Sequence, residues 1–88
     1  MHDTKQIYYN QVKGQISQIL NIENFPSIVL QCGHDRKRDV NICFKPILMS
    51  EIVEKYEIGD NISIKFFISS RLKHGRWYTM CNGLEVIT

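Results

Sequence analysis

Features that would mark a membrane protein or a secreted protein are missing from these 88 residues. No apolar run is long enough for a signal peptide or a membrane-spanning helix, and the first eleven residues, MHDTKQIYYNQ, are mostly polar. There are only three cysteines, Cys32, Cys43 and Cys81, and no CxxC pair, which argues against a disulfide framework. We therefore expect a soluble cytoplasmic protein with reduced thiols.

Motifs for catalysis and metal binding are also missing. No serine stands in a glycine elbow, and no glycine-rich phosphate loop occurs. The acidic residues Glu51, Glu54 and Glu57 fall on one predicted helix face, not in a pair on an apolar background. The cysteines and histidines lack the spacing of zinc ligands, so we interpret the cysteines as structural thiols. We expect no enzyme, no metal site and no cofactor.

Basic charge is scarce in total but concentrated in position. The net charge is only +2, which by itself does not indicate a nucleic-acid-binding protein. All four arginines nevertheless lie in two short windows, 36–38 and 71–76, which also contain Lys37 and Lys73. Segregated charge of this kind favours electrostatic binding to an anionic partner.

The spacing of apolar residues predicts five strands and one helix in a single domain. A polar arm, residues 1–10, precedes the domain at 11–88. The predicted elements are strands at 11–22, 27–33 and 40–44, a helix from Pro46 to about 57, and a hairpin from about 58 to 87 with its turn near Gly75. In the hairpin, we predict that Ile62, Ile64, Phe66, Ile68 and Trp77 point into the core.

This order, β-β-β-α-β-β, predicts an all-β fold with one helix: the five-stranded Greek-key barrel of the OB-fold, which binds oligonucleotides and oligosaccharides. A slip in the alternation at the adjacent Ile19 and Leu20, together with Gly14 in mid-strand, predicts a bulge or a sharp coil that bends the first strand around the barrel. A second irregularity is predicted at Asn82-Gly83. An SH3-like barrel is the main rival, but it lacks a ten-residue helix at this point.

Two basic hairpin tips and two outward aromatic residues form the candidate site. Cations attract phosphates, and aromatic rings stack on the bases of a single strand. The predicted nucleic-acid-binding residues are Arg36, Lys37, Arg38, Lys65, Phe67, Arg71, Lys73, Arg76 and Tyr78. The alternative is that the tips are simply solvated loops and that Phe67 and Tyr78 belong to a subunit interface.

Several segments together resemble a known family. They are Val12-x-Gly14-x-Ile16, Ile58-Gly59-Asp60, Phe66-x-Ile68-x-x-Arg71 and Gly75-Arg76-Trp77-Tyr78-Thr79. They resemble a small uncharacterised OB-fold family of Bacteroides-type bacteria, which is similar to single-stranded-DNA-binding proteins and to primosomal replication protein B. The resemblance implies a five-stranded barrel, homo-oligomers and single-stranded nucleic-acid binding, with Arg71, Arg76, Trp77 and Tyr78 as the matching residues. The segment between strands one and two is shorter here than in that family.

The predicted function is therefore non-catalytic binding of single-stranded DNA, in replication, recombination or maintenance of a mobile element. RNA is an open alternative, because backbone and stacking contacts hardly separate it from DNA. The second hypothesis is an OB-fold interaction module that forms a homodimer or higher homo-oligomer, or docks to a replication protein, through the face carrying Val29, Phe67 and Tyr78.

Overall fold

The alternating apolar residues form a closed barrel in a computed structural model that describes residues 9–22, 24–33 and 37–87. The elements are β1 (Asn10–Leu20), β2 (Ser27–Cys32), β3 (Arg38–Cys43), α1 (Pro46–Lys55), β4 (Asn61–Lys73) and β5 (Arg76–Ile87). The strand order around the barrel is β1-β2-β3-β5-β4. Five strands with a helix between β3 and β4 confirm the predicted OB-fold.

β1 closes one side of the barrel by pairing with two strands. Its first half pairs with β4 and its second half with β2, and the register shifts between Ile16 and Gln18, which confirms a bulge in β1, slightly before the predicted slip. A Cβ atom at Gly14 would lie 2.8 Å from both Cys32 Sγ and the Gln31 carbonyl oxygen. Only glycine lets β1 pass this close to the end of β2.

β3 and β5 close the other side through a short parallel contact. Ile42 pairs with Cys81, and Cys43 pairs with Asn82. Along β5 the register against β4 shifts near Gly83, so that Leu84 is the extra residue, close to the predicted irregularity. A Cβ at Gly83 would overlap the Phe44 ring, so the glycine is needed for the ring to pack.

The helix covers one end of the core, and a turn ties it to β1. Pro46 stands in its first turn, and Met49 and Ile52 are buried. After the helix, Gly59 adopts a positive φ of 100°, and its N–H donates to the Ile16 carbonyl at 2.8 Å. Ile16 in turn donates to the Asp60 carbonyl at 2.8 Å, which anchors the start of β4 beside the bulge. Among the described residues, no helix is long and apolar enough to cross a membrane.

Two strand ends differ from the sequence-based bounds. β3 begins two residues before the predicted start, because Arg38 and Asp39 still pair with the end of β2. β1 ends at Leu20 instead of Ile22, because the Ile22 carbonyl accepts the Phe25 N–H in a turn at 3.1 Å. Residues 1–8 of the predicted arm lie outside the described residues.

The core contains apolar side chains from every element except β5, which contributes only partly buried residues. The buried residues are Ile16, Ile28, Leu30, Ile42, Phe44, Met49, Ile52, Ile62, Ile64 and Phe66. Two residues predicted to be in the core are not there: Ile68 is 54% exposed and Trp77 is 69% exposed. Among the described residues, β4 pairs with β1 as far as Phe66, and no residue of the hairpin between Ile68 and Cys81 is buried.

We expect replacement of Trp77 by alanine to change the free energy of unfolding by no more than about 0.5 kcal/mol, as for other exposed positions. Phe66→Ala should cost roughly 3–5 kcal/mol, because Phe66 is buried at the end of the core. Urea denaturation followed by circular dichroism measures both. An equal loss for the two variants would show that Trp77 packs in the core after all.

Candidate nucleic-acid interface

The β4–β5 hairpin forms an arm that extends beyond the barrel. Within the described residues, positions 67–73 of β4 pair with β5 alone, over a length of about 23 Å at the usual rise per residue. His74 and Gly75 both have positive φ, 52° and 75°, in the two-residue turn between Lys73 and Arg76. Such a turn follows the natural twist of a hairpin, so the arm can stay regular to its tip.

One face of the arm is basic and aromatic, and we call it the basic arm face. Side chains paired directly across antiparallel strands share a face, and here Arg71 pairs with Tyr78, and Lys73 with Arg76. The face comprises Phe67, Ser69, Arg71 and Lys73 of β4 with Arg76, Tyr78, Met80 and Asn82 of β5. Its three cations and Tyr78 are exposed. The chain has no acidic residue from position 61 to 84, so no neighbour in the hairpin neutralises them.

We call the opposite face the apolar arm face. Its β4 residues continue the alternation of the core residues Ile62, Ile64 and Phe66. It comprises Ile68, Ser70, Leu72, Trp77, Thr79 and Cys81. Ser70 and Thr79 share a hydrogen bond of 3.1 Å between their hydroxyl groups, which links the two strands midway along the arm. Leu72 and Trp77 pair with each other, and both are exposed. Trp77 therefore lies on the surface. Its position in the sequence, two residues after the turn at Gly75, was the feature that indicated exposure.

The other basic tip lies near the start of β4. Lys37 lines a groove together with Lys13 of β1 and Asn61, the first residue of β4. Lys37 and Arg38 are exposed, whereas the predicted Arg36 lies outside the described residues. Because the arm begins at Phe67, six residues further along β4, the part of β4 that belongs to the barrel separates the groove beside Lys37 from the arm.

A groove at the base of the arm brings together aromatic residues from distant parts of the chain. This Phe25 groove has a volume of about 350 Å³. It is lined by Asn24, Phe25, Cys43, Phe44, Lys45, Pro46, Phe67, Met80, Asn82, Gly83 and Leu84. Phe67 is thus half-buried at the groove, and it is not an isolated exposed ring. Phe25 and Lys45 were not among the predicted site residues. Phe25 could have been identified as an apolar residue that stands between the turn residues Asn24 and Pro26.

A second groove lies on another part of the barrel wall, and we call it the Lys13 groove. Its volume is about 510 Å³. It is lined by Lys13, Gly14, Gln15, Gln31, Cys32, Gly33, Lys37 and Asn61. Lys13 was not predicted as a site residue, whereas Lys37 was.

Lys65 differs from the other predicted cations because it has an acidic neighbour. Its Nζ lies 3.7 Å from Glu85 Oε1 and 4.4 Å from the centre of the Tyr9 ring. Its charge is therefore partly balanced, close to the last β4 residue that pairs with β1. The unbalanced positive charge of the hairpin begins beyond it, at Arg71.

The cysteines do not gather into a metal site. No group of three potential metal ligands occurs in the part of the chain that the structure describes. Burial raises the pKa of the Cys32 thiol. Burial is also the main cause that raises the pKa of the Cys81 thiol, and the nearby Cys43 adds to it. Because the thiolate is the form that binds metals, these shifts favour unreactive thiols at neutral pH.

The fold of this chain also occurs in a solved structure of another protein. A small single-stranded DNA binding protein from Mycoplasma pneumoniae matches with a TM-score of 0.67 and 15% sequence identity over 94% of both chains. A small single-stranded DNA-binding protein from Streptomyces coelicolor matches with a TM-score of 0.49 and 11% identity, over 94% of this chain and 92% of that one. No protein-family model and no curated protein sequence matches the chain. The first structure supports the barrel, while the resemblance to the Bacteroides-type family and to primosomal replication protein B stays a prediction.

We expect alkylation of Cys32 and Cys81 by iodoacetamide to need a higher pH in the folded protein than in urea. The raised thiol pKa keeps the reactive thiolate scarce until the pH passes the folded value. Mass spectrometry of labelled peptides over a range of pH measures each site. Identical pH profiles with and without urea would contradict the effect of burial.

Proposed function

We propose that this protein binds single-stranded DNA without catalysing a reaction. The observation that carries the proposal is the pairing of Arg71 with Tyr78 on an exposed face that also holds Lys73 and Arg76. Cations can contact the phosphates while the ring stacks on a base, and stacking accepts every base because each has a π-face. The shared fold with a single-stranded DNA binding protein supports the same proposal.

The proposed path of the strand follows the arm. Arg71, Lys73 and Arg76 would hold phosphates along the basic arm face, and Lys37 and Arg38 would contact the strand from the β2–β3 tip. Arg36 belongs to the same proposed group by its position in the sequence. Among the predicted cations, Lys65 has the least support as a phosphate contact, because Glu85 already lies beside it.

The proposed setting is replication, recombination or maintenance of a mobile element in the bacterial cytoplasm. Duplex DNA must be opened in each of these processes, and a non-catalytic protein with a short basic face suits the exposed single strand. RNA offers the same phosphates and base faces, and recognition of its 2′-hydroxyl would be needed to separate the two. Parallel titrations with oligo-dT and oligo-U compare them directly.

We expect the variant with Arg71, Lys73 and Arg76 all changed to glutamine to bind labelled oligo-dT more weakly and with less salt dependence. Each phosphate contact on a single strand contributes about 0.7 to the slope of log affinity against log salt, so the slope should fall by about 2. Fluorescence anisotropy titrations at several salt concentrations measure it.

Lys55→Gln is the charge control, because Lys55 lies on the helix, in a groove with Glu51 and Glu85, and should leave the slope unchanged. No binding of oligo-dT by the unchanged protein at low salt would overturn the proposed function. An unchanged slope in the triple variant would overturn the role of the arm.

A second candidate function is an interaction module, and the apolar arm face favours it. Ile68, Leu72 and Trp77 form an exposed apolar stripe that the monomer leaves uncovered. Stripes of this kind commonly mark protein contacts. A homodimer or higher homo-oligomer formed by pairing of these stripes would leave both basic arm faces outward, so oligomerisation and DNA binding are compatible. A replication protein is the alternative occupant.

We expect Trp77→Ser to reduce self-association without loss of folding, because it removes the largest exposed apolar group of the stripe. Analytical ultracentrifugation over a range of concentrations measures it, and Ile47→Ser, at an exposed position on the helix, is the control. If the unchanged protein sediments as a monomer at every concentration, the homo-oligomer is excluded.

A further inference from the structure

We infer that the Phe25 groove is a binding site for one nucleobase of the bound strand, at the barrel end of the basic arm face. The inference rests on the proposed function and adds a site to it. The groove is lined by Phe67, Met80 and Asn82 from that face. Phe25 and Lys45, from elsewhere in the chain, also line it. A strand that follows the arm from its tip would reach the groove directly.

The groove is continuous with the stacking residue of the arm. Tyr78, Met80 and Asn82 are alternate residues of β5 and lie on one face, each about 7 Å from the next along the strand. Met80 and Asn82 line the groove, and Tyr78 stands next to them toward the tip. A base on Tyr78 and a base in the groove would therefore be separated by only a short length of backbone.

The chemistry of the groove suits a flat ring with polar edges. Phe25 is 69% exposed, so most of its ring is open to a ligand. Phe67, Met80 and Leu84 supply further apolar surface, Lys45 supplies the single charge among the described lining residues, and Asn82 supplies an amide. An apolar pocket with a few polar groups is typical of small-ligand sites, and the Lys45 cation favours an anionic chain.

The turn that carries Phe25 is held in place before any ligand binds. The Phe25 N–H donates to the Ile22 carbonyl at 3.1 Å, and the Phe44 N–H donates to the Pro26 carbonyl at 3.0 Å. Pro26 and Ser27 are buried beside it. A ring projecting from an anchored turn loses little conformational freedom when it binds, which favours affinity.

Acidic residues lie beyond the groove, where the surface no longer favours a phosphate chain. Beyond Leu84, β5 continues with Glu85, which lies beside Lys65 and lines the next groove together with Glu51. A phosphate chain would be repelled there, so the strand should end in the Phe25 groove or turn away from the barrel at this point.

Two measurements test the groove separately from the arm. Phe25→Ala should weaken binding of oligo-dT roughly 5- to 150-fold, the range for loss of one stacked base, and Phe25→Tyr should retain it. Ile22→Ala is the matched control, because Ile22 is an exposed apolar residue of the same turn that does not line the groove. Circular dichroism confirms that each variant is folded.

The second measurement uses the native cysteines as markers of the two grooves. Cys43 lines the Phe25 groove, and Cys32 lines the Lys13 groove. Saturating oligo-dT should slow alkylation of Cys43 by N-ethylmaleimide roughly tenfold, as expected for a site that is occupied most of the time. Peptide mass spectrometry gives the rate for each cysteine with and without DNA.

The outcomes distinguish this inference from the proposed function. If the unchanged protein does not bind oligo-dT at all, the proposed function fails, and the groove site fails with it. If Tyr78→Ala weakens binding while Phe25→Ala does not, and Cys43 stays reactive, only the groove site fails. Protection of Cys32 without protection of Cys43 would place the strand in the other groove and would also overturn it.

Discussion

The antiparallel ladder between β4 and β5 is the interaction on which the rest of the structure depends. It runs from the pair Ser63–Ile87 to the pair Lys73–Arg76. Its first part is a wall of the barrel and positions Ile64 and Phe66 in the core. Within the described residues, its second part extends past the end of β1, where cross-strand hydrogen bonds and side-chain pairs link the two strands. One continuous ladder thus connects the stability of the core to the geometry of the candidate site.

The barrel can support this arm because two glycines allow close approaches elsewhere. Gly14 lets β1 bend across the end of β2, and Gly83 makes room for the Phe44 ring where β5 meets β3. These contacts close a barrel around a core that is small for a chain of this length. Closure leaves β5 fixed at Cys81 and Asn82, at the base of the arm and beside the Phe25 groove.

The two faces of the arm suit different partners because a strand alternates its side chains. Arg71 and Tyr78 point to one side, and Leu72 and Trp77 point to the other. A single residue step therefore separates a cationic surface suited to a phosphate chain from an apolar surface suited to a protein. The nucleic-acid and oligomer hypotheses concern opposite sides of one hairpin, and they do not compete for the same residues.

The sequence by itself determined the fold, the order of the elements along the chain and the position of the basic windows, since alternation, helical spacing and turn residues are local patterns. It also indicated an irregularity in the first strand and an outward Tyr78 beside Arg76. Only the tertiary structure decided which alternating residues are buried, because the same pattern continues from Phe66 to Ile68 after the neighbouring strand has ended. The size of its side chain predicted that Trp77 points into the core, but it lies in the part of the hairpin that has no buried residue, and it is exposed. Phe25 could not be placed beside Phe67 without the closed barrel, because its groove is assembled from residues far apart in the chain.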